Sequence, residues 1–281
     1  MSILQNKIDF AVLISVENAN PNGDPLNGNR PREDFDGYGE ISDVCIKRKI
    51  RNRLLDMGMS IFVQSDDKQV DSFKSLSERA SGCEELKKVK NKDEYARVAC
   101  EQWMDVRSFG QVFAFKGGVS VGVRGPVSLH TAFSVSPIDI TSIQITKSVN
   151  SEPTRDGGKS SDTMGMKHRV PFGLYVCKGS INCQLAEKTG FTDEDAQSIH
   201  EALRTLFEND MSSARPEGSM EVRGLYWWKH NCKTGQYSTA TVHRSLHVEL
   251  KEGVDSPRRF EDYEISLAPL ADLEPEVFTA V

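Results

Sequence analysis

The run Ile8-Asp-Phe-Ala-Val-Leu-Ile-Ser-Val-Glu17 constrains this chain most. It is short, β-branched and apolar almost throughout, and a polar loop follows it. That pattern reads as a central strand rather than a helix. A strand apolar on both sides needs neighbours on both edges and cover on both faces. The rest of the chain must therefore supply a sheet. Further strands read at Phe109–Val123 and Val127–Val135 (around Gly125-Pro126), Asp139–Lys147, Val170–Leu185, Val222–Trp228 and Ser238–Leu250.

Two helices interrupt them. Ser42 or Asp43 caps the first, which runs to about Met57 and stops at Gly58. Ile46, Ile50, Leu54 and Met57 form its apolar stripe, and Lys47, Arg48, Arg51 and Asn52 lie on another arc. Thr192 caps the second, to about Asp210, with Phe191 before it and Ala196, Ile199, Leu203, Leu206 and Phe207 as the buried stripe. Residues 60–104 are polar and read as an insertion of mostly helical turns. Val149–Asp162 is a turn-rich excursion. The order strand, helix, strands, helix, strands suits an α+β sheet with helices on one face, such as a ferredoxin-like core.

The 281 residues are 38% hydrophobic and 27% charged, an ordinary globular balance. No stretch approaches the roughly 18 apolar residues of a membrane helix. The first ten residues show no basic, apolar and cleavable leader, so the expectation is a cytoplasmic protein with no membrane partner. The cysteines at 45, 83, 100, 177, 183 and 232 form no Cys-x-x-Cys pair, which argues against a structural zinc site and a disulfide framework.

A net charge of −6 argues against a nucleic-acid partner, but its distribution does not. Residues 183–221 hold three basic against nine acidic side chains, and 249–281 hold the same, so the remainder stands at +6. Lys47, Arg48, Lys49, Arg51 and Arg53 crowd the first helix, and 147–178 carries six basic against three acidic residues. At a Debye length of about 8 Å only the local field matters to a phosphate backbone. Solvated faces would give the same pattern.

Several chemical motifs fail on inspection. Gly158-Lys159-Ser160 imitates the end of a phosphate-binding loop, but Pro153 stands where its first glycine belongs. His243 and His247 have the spacing of zinc ligands on a helix, yet Arg244 replaces the glutamate and the segment reads as strand. There is no Gly-x-Ser-x-Gly elbow. Asp193-Glu194-Asp195 suits the positive end of a helix dipole. The expectation is no catalytic residue, no metal and no cofactor.

Three segments stand out. Ile41–Asn52 joins free N–H groups at a helix start to a basic arc, a track for phosphates. Asp105-Val-Arg-Ser-Phe-Gly-Gln-Val112 and Val123-Arg-Gly-Pro-Val127 carry glycines that suggest close backbone approach. Met164–Tyr175 sets methionines beside Lys167, His168 and Arg169, suiting a chain that wedges between bases while holding phosphates.

Together with Glu17-Asn-Ala-Asn-Pro-Asn-Gly-Asp-Pro25 and Ala186–Asp195, these segments, in this order, closely resemble the backbone subunit of the type I-C CRISPR Cascade, of the repeat-associated RNA-binding superfamily. The resemblance spans about residues 5–265. It implies a right hand: an RNA-recognition-like palm (5–57, 109–146, 170–265), a fingers insertion (58–108), a thumb hairpin (147–169) and a tail (266–281). It implies no enzyme activity, but copies stacked in a helical filament along the spacer of one crRNA, each thumb displacing a base and leaving segments to pair with a target DNA strand. The implied partners are crRNA, target DNA, further copies of the chain, and the large and pre-crRNA-processing subunits. The implied RNA contacts are Ser42, Lys47, Arg48 and Arg51 on the helix and Met164, Met166, Lys167 and His168 on the thumb. Arg124 and the Asn20–Asp24 loop, with Asn20 and Asn22, are further candidates. The acidic 193–210 helix is expected on the back of the palm. Relatives in type III complexes cut target RNA with an aspartate before this helix, so Asp24 and Asp34 mark an alternative ribonuclease reading. A free-standing RNA-binding module is the third reading.

Overall fold

A computed structural model describes residues 2–115, 120–149 and 164–280. In chain order the elements are β1 (Ile8–Ala19), β2 (Gly23–Asp24), β3 (Arg30–Pro31), β4 (Tyr38–Ile41), α1 (Asp43–Asp56), α2 (Leu76–Gly82), α3 (Glu84–Lys87), α4 (Lys92–Gln102) and α5 (Met104–Phe109). Then come β5 (Gly110–Phe113), β6 (Val121–Arg124), β7 (Val127–Leu129), β8 (Ala132–Pro137), β9 (Thr141–Thr146) and β10 (Met164–Ile181). The chain continues with α6 (Cys183–Thr189), α7 (Asp193–Arg204), β11 (Met220–Lys229), α8 (Thr239–Ser245), β12 (Leu246–Leu250), β13 (Tyr263–Leu267) and β14 (Glu276–Thr279). No helix among the described residues is long and apolar enough to cross a membrane.

The main sheet runs β14-β11-β1-β10-β8-β4, with β7 and β9 also paired to β10, and every pairing is antiparallel. β1 is central, as its composition predicts. Phe10, Val12, Ile14 and Val16 pack toward Ile46, Ile50 and Leu54 of α1 and Ala196, Ile199 and Leu203 of α7. Ala11 and Leu13 face the other way, onto Trp228, Val242, Leu246 and Tyr263. Helices on one face are thus half the architecture: α8 and the β12–β13 ribbon cover the second. Phe62, Tyr95, Trp103 and Phe113 anchor a separate apolar cluster for the inserted helices, with ring centroids 4.6–5.4 Å apart.

Several boundaries differ from the sequence reading. Phe109 closes α5, and the expected strand to Val123 is two short strands, β5 and β6, paired to each other. Gly110 permits this. Its φ is +82°, and a Cβ there would lie 2.3 Å from the Val123 carbonyl oxygen. Leu185 lies in α6, not a strand, because Asn182 accepts from its N–H and starts a helix. α7 stops at Arg204, where Thr205 turns its hydroxyl back to the Glu201 carbonyl. Thr239–Ser245 is helix, so His243 and His247 sit on different elements. His243 is buried against the Gly179 carbonyl at 3.0 Å. The excursion from 150 to 162 and the Gly158-Lys159-Ser160 motif lie outside the described residues.

Candidate nucleic-acid interface

Ser42 caps α1, accepting from Cys45 N–H at 3.3 Å. Its own N–H and hydroxyl both donate to Asn22 Oδ1 at 2.9 Å. Asn22 thereby fastens the loop after β1 to the helix start. The cap is worth about 1 kcal/mol. Asn20 is buried; its Nδ2 donates to the Asn29 carbonyl at 2.6 Å, while Oδ1 has no partner.

The five cations of α1 do not share one fate. Lys47 pairs with Asp43 one turn back at 2.9 Å. Arg51 turns inward to the buried Asp105 at 2.9 Å and stacks on Phe109, 5.0 Å from its centroid. Lys49 is buried against Asp210, and burial pushes its ammonium pKa down against that partner's pull. Arg53 meets Glu208 at 2.5 Å and Thr205 at 2.7 Å. Arg48 stays exposed, with no ion pair among the described residues, although its field reaches Asp67. The acidic stretch 193–210 thus lies directly behind α1 and neutralises its rear cations.

The Asp105–Gly110 and Val123–Pro126 motifs form a junction. Asp105 accepts from Phe62 N–H at 2.7 Å, Val63 N–H at 3.0 Å and Arg51. Arg107 forks onto Asp195 at 2.9 and 2.7 Å, while Asp195 also closes the capping box of α7. A Cβ on Gly125 would fall 2.2 Å from the Ser108 carbonyl oxygen. Arg124, opposite Gly110 in the β5–β6 ribbon, is exposed.

β10 extends beyond the sheet and pairs with β9, Met164 opposite Thr146 through Arg169 opposite Thr141. Alternation then separates residues adjacent in sequence. Met164, Met166 and His168 share a face with Thr146, Gln144 and Ser142. Lys167 and Gly165 share the other with Ile143 and Ile145. Met164 and Met166 are 59% and 54% exposed. The hairpin root meets the β2–β3 ribbon, where Arg30 Nη1 donates to Ser142 Oγ at 3.2 Å, and Ser142 lies 2.8 Å from His168 Nδ1. Arg169, one residue before Val170 in its pair with Ala19, has a buried Nε without a partner, as does Arg32.

A continuous path therefore runs from the start of α1 through Asn22, the ribbon and Arg30 to the methionine face. Ser42, Asn22 and Asn20 lie at one end and Met164, Met166 and His168 at the other. Lys167 is on the reverse of the hairpin, Arg51 is turned inward, and Arg124 sits beyond α5. Arg30 and Ser142 were not singled out from sequence; the register of Ser142 against His168 and its hydrogen bond from Arg30 reveal them. Asp24 and Asp34 build the loop. Asp24 accepts from Leu26 N–H at 3.1 Å and lies 3.4 Å from Arg32, and Asp34 accepts from the N–H groups of Asp36 and Tyr38 at 3.0 and 2.9 Å. The described residues contain no cluster of three or more potential metal ligands.

The sequence profile described as "CRISPR-associated protein Cas7" matches residues 6–268. The chain belongs to the Cas7 family. A curated relative, "CRISPR-associated protein Cas7" of Haloferax volcanii, is 24% identical over 232 residues, 74% of this chain. The chain spans 66% of that relative's length. Among solved structures, a chain of a "CRISPR RNA-guided surveillance complex, pre-nicking" shares the fold with a TM-score of 0.55 at 16% identity, covering 89% of this chain and 84% of that one. A chain of a "CRISPR RNA-guided surveillance complex" gives 0.46 at 16% identity, over 79% and 68%. The Cas7 match runs from before β1 to the end of β13, so it takes in α1, the loop before it, the inserted helices and the β9–β10 hairpin.

Proposed function

We propose that this chain is the crRNA-binding backbone subunit of a type I-C Cascade. Copies stack along the spacer of one guide and present it for pairing with target DNA. The large and pre-crRNA-processing subunits complete the assembly. In this reading the main sheet with α1 and α7 is a ferredoxin-like palm, 58–108 are fingers and 147–169 are a thumb.

The observation that carries the proposal is the hydrogen-bonded path from the α1 start to the methionine face of the hairpin. It joins the N-terminus of α1, a helix on which Arg48 stays exposed, to two exposed thioethers of the hairpin. The first two suit phosphate, and the last suits a base step.

The test is RNA retention by the assembled complex across a salt series. Each phosphate neutralised contributes about −0.7 to the slope of log K against log salt for single strands. Arg48→Glu should weaken retention and flatten the slope while leaving unfolding unchanged; an unaltered slope refutes the placement. A second arm assays matched RNA with magnesium. Cleavage lost in Asp24→Ala would favour the ribonuclease reading, which the capping role of Asp24 does not support.

A further inference from the structure

We infer that His168 offers Nε2–H as a fixed hydrogen-bond donor to a neutral oxygen of the bound RNA, and that Arg30 and Ser142 set that tautomer. This rests on the backbone reading above. A serine hydroxyl has one proton and two lone pairs, and a guanidinium can only donate. Arg30 Nη1 therefore occupies a lone pair of Ser142 Oγ, 3.2 Å away. The hydroxyl proton finds an acceptor in His168 Nδ1, 2.8 Å away, whereas an Nδ1–H tautomer would use the second lone pair and leave that proton to solvent; we take the first arrangement. A neutral imidazole accepting at Nδ1 carries its own proton on Nε2. Nε2 has no partner among the described residues.

The class of acceptor follows from the face. Register places His168 beside Met166 and Met164, opposite Ser142, Gln144 and Thr146. None of these is charged. Lys167 lies on the reverse, and Arg30 is directed at Ser142 and, at 3.6 Å, Glu33. With no cation aimed outward among the described residues of this face, it suits a ribose 2′-hydroxyl or a base carbonyl better than a phosphate. Arg30 and Ser142 act through His168 and are positioning residues.

Imidazole ¹⁵N shifts of the full chain report the tautomer directly. The wild type should show Nε2–H. Ser142→Ala and Arg30→Ala should each shift the ring toward a tautomer mixture, and Ser142→Thr should restore it. In the assembled complex, His168→Phe should lose roughly five- to tenfold in RNA affinity, as for one hydrogen bond removed. His168→Gln, whose amide N–H reaches near Nε2, should stay within about twofold of wild type, and His168→Asn, which ends near Nδ1, should not. Guides with 2′-deoxy positions or base-carbonyl replacements then identify the acceptor by losing affinity with wild type but not with His168→Phe. An Nδ1–H tautomer in the wild type, or equal affinity of His168→Phe and wild type for every guide, overturns the inference while leaving the backbone reading standing. A wild-type complex that holds no RNA overturns both.

Discussion

The helix α1 and the β9–β10 hairpin carry the same kind of sequence signal and use it in opposite ways. Five cations fall within seven residues of α1, and four of them are tied to Asp43, Asp210, Asp105 and Glu208. The helix is basic in composition but largely neutral on its surface. The paired strands of the hairpin hold fewer charges, yet their methionines are exposed and Lys167 has no ion pair among the described residues. Charge density in sequence measures how many cations a segment has, not how many remain available to a phosphate. That number is set by which acids the fold brings behind them.

The sharpest way to break this comparison is at Asp105. Asp105→Ala removes three hydrogen bonds and leaves Arg51 partly buried without a counter-charge, and should cost about 3–5 kcal/mol in denaturant unfolding. Arg51→Glu should be similarly damaging, through stability and not through RNA contact. Little change in either would mean that the inner cations are as dispensable as an exposed one.

The opposite sheet face offers a control away from the proposed RNA path. Burial opposes ionisation of Asp9, but hydrogen bonds from His230, Lys7 and Thr239 outweigh it and hold its carboxyl below the usual range. A depressed folded pKa stabilises above the unfolded value near 3.9 and ceases to do so as pH falls through the folded one. Asp9→Asn should therefore cost about 2 kcal/mol at pH 7, with the deficit shrinking below pH 4. A deficit independent of pH would contradict the assignment.

Smaller effects are expected where groups are free. Arg48→Glu should change stability by no more than about 0.5 kcal/mol and lower the magnitude of the salt slope by about 0.7. Met164→Ala with Met166→Ala should be equally silent in unfolding but alter nuclease protection of the bound RNA at regular intervals. Identical footprints would remove the hairpin from the interface.

The elements that apolar pattern determines were legible in the sequence: β1, the stripes of α1 and α7, and the caps at Ser42 and Thr192. What escaped it was set by local caps in some places and by partners distant in sequence in others. Leu185 and Thr239–Ser245 have strand-like composition, but caps at Asn182 and Ser238 make them helical. The cationic arc of α1 was visible, whereas its neutralisation depends on Asp105, Glu208 and Asp210, more than fifty residues away. Met164, Met166, Lys167 and His168 read as one cluster, and only pairing with β9 divides them between two faces. Arg30 carried no signal in a loop rich in Asn, Pro and Gly.

The central claim is that copies of this chain line a single guide strand. Purification of the chain with its companion subunits at low ionic strength, followed by sizing of any nucleic acid it carries, tests this most directly. The account predicts RNA of one uniform length bound by several copies. A complex free of RNA under those conditions would contradict it.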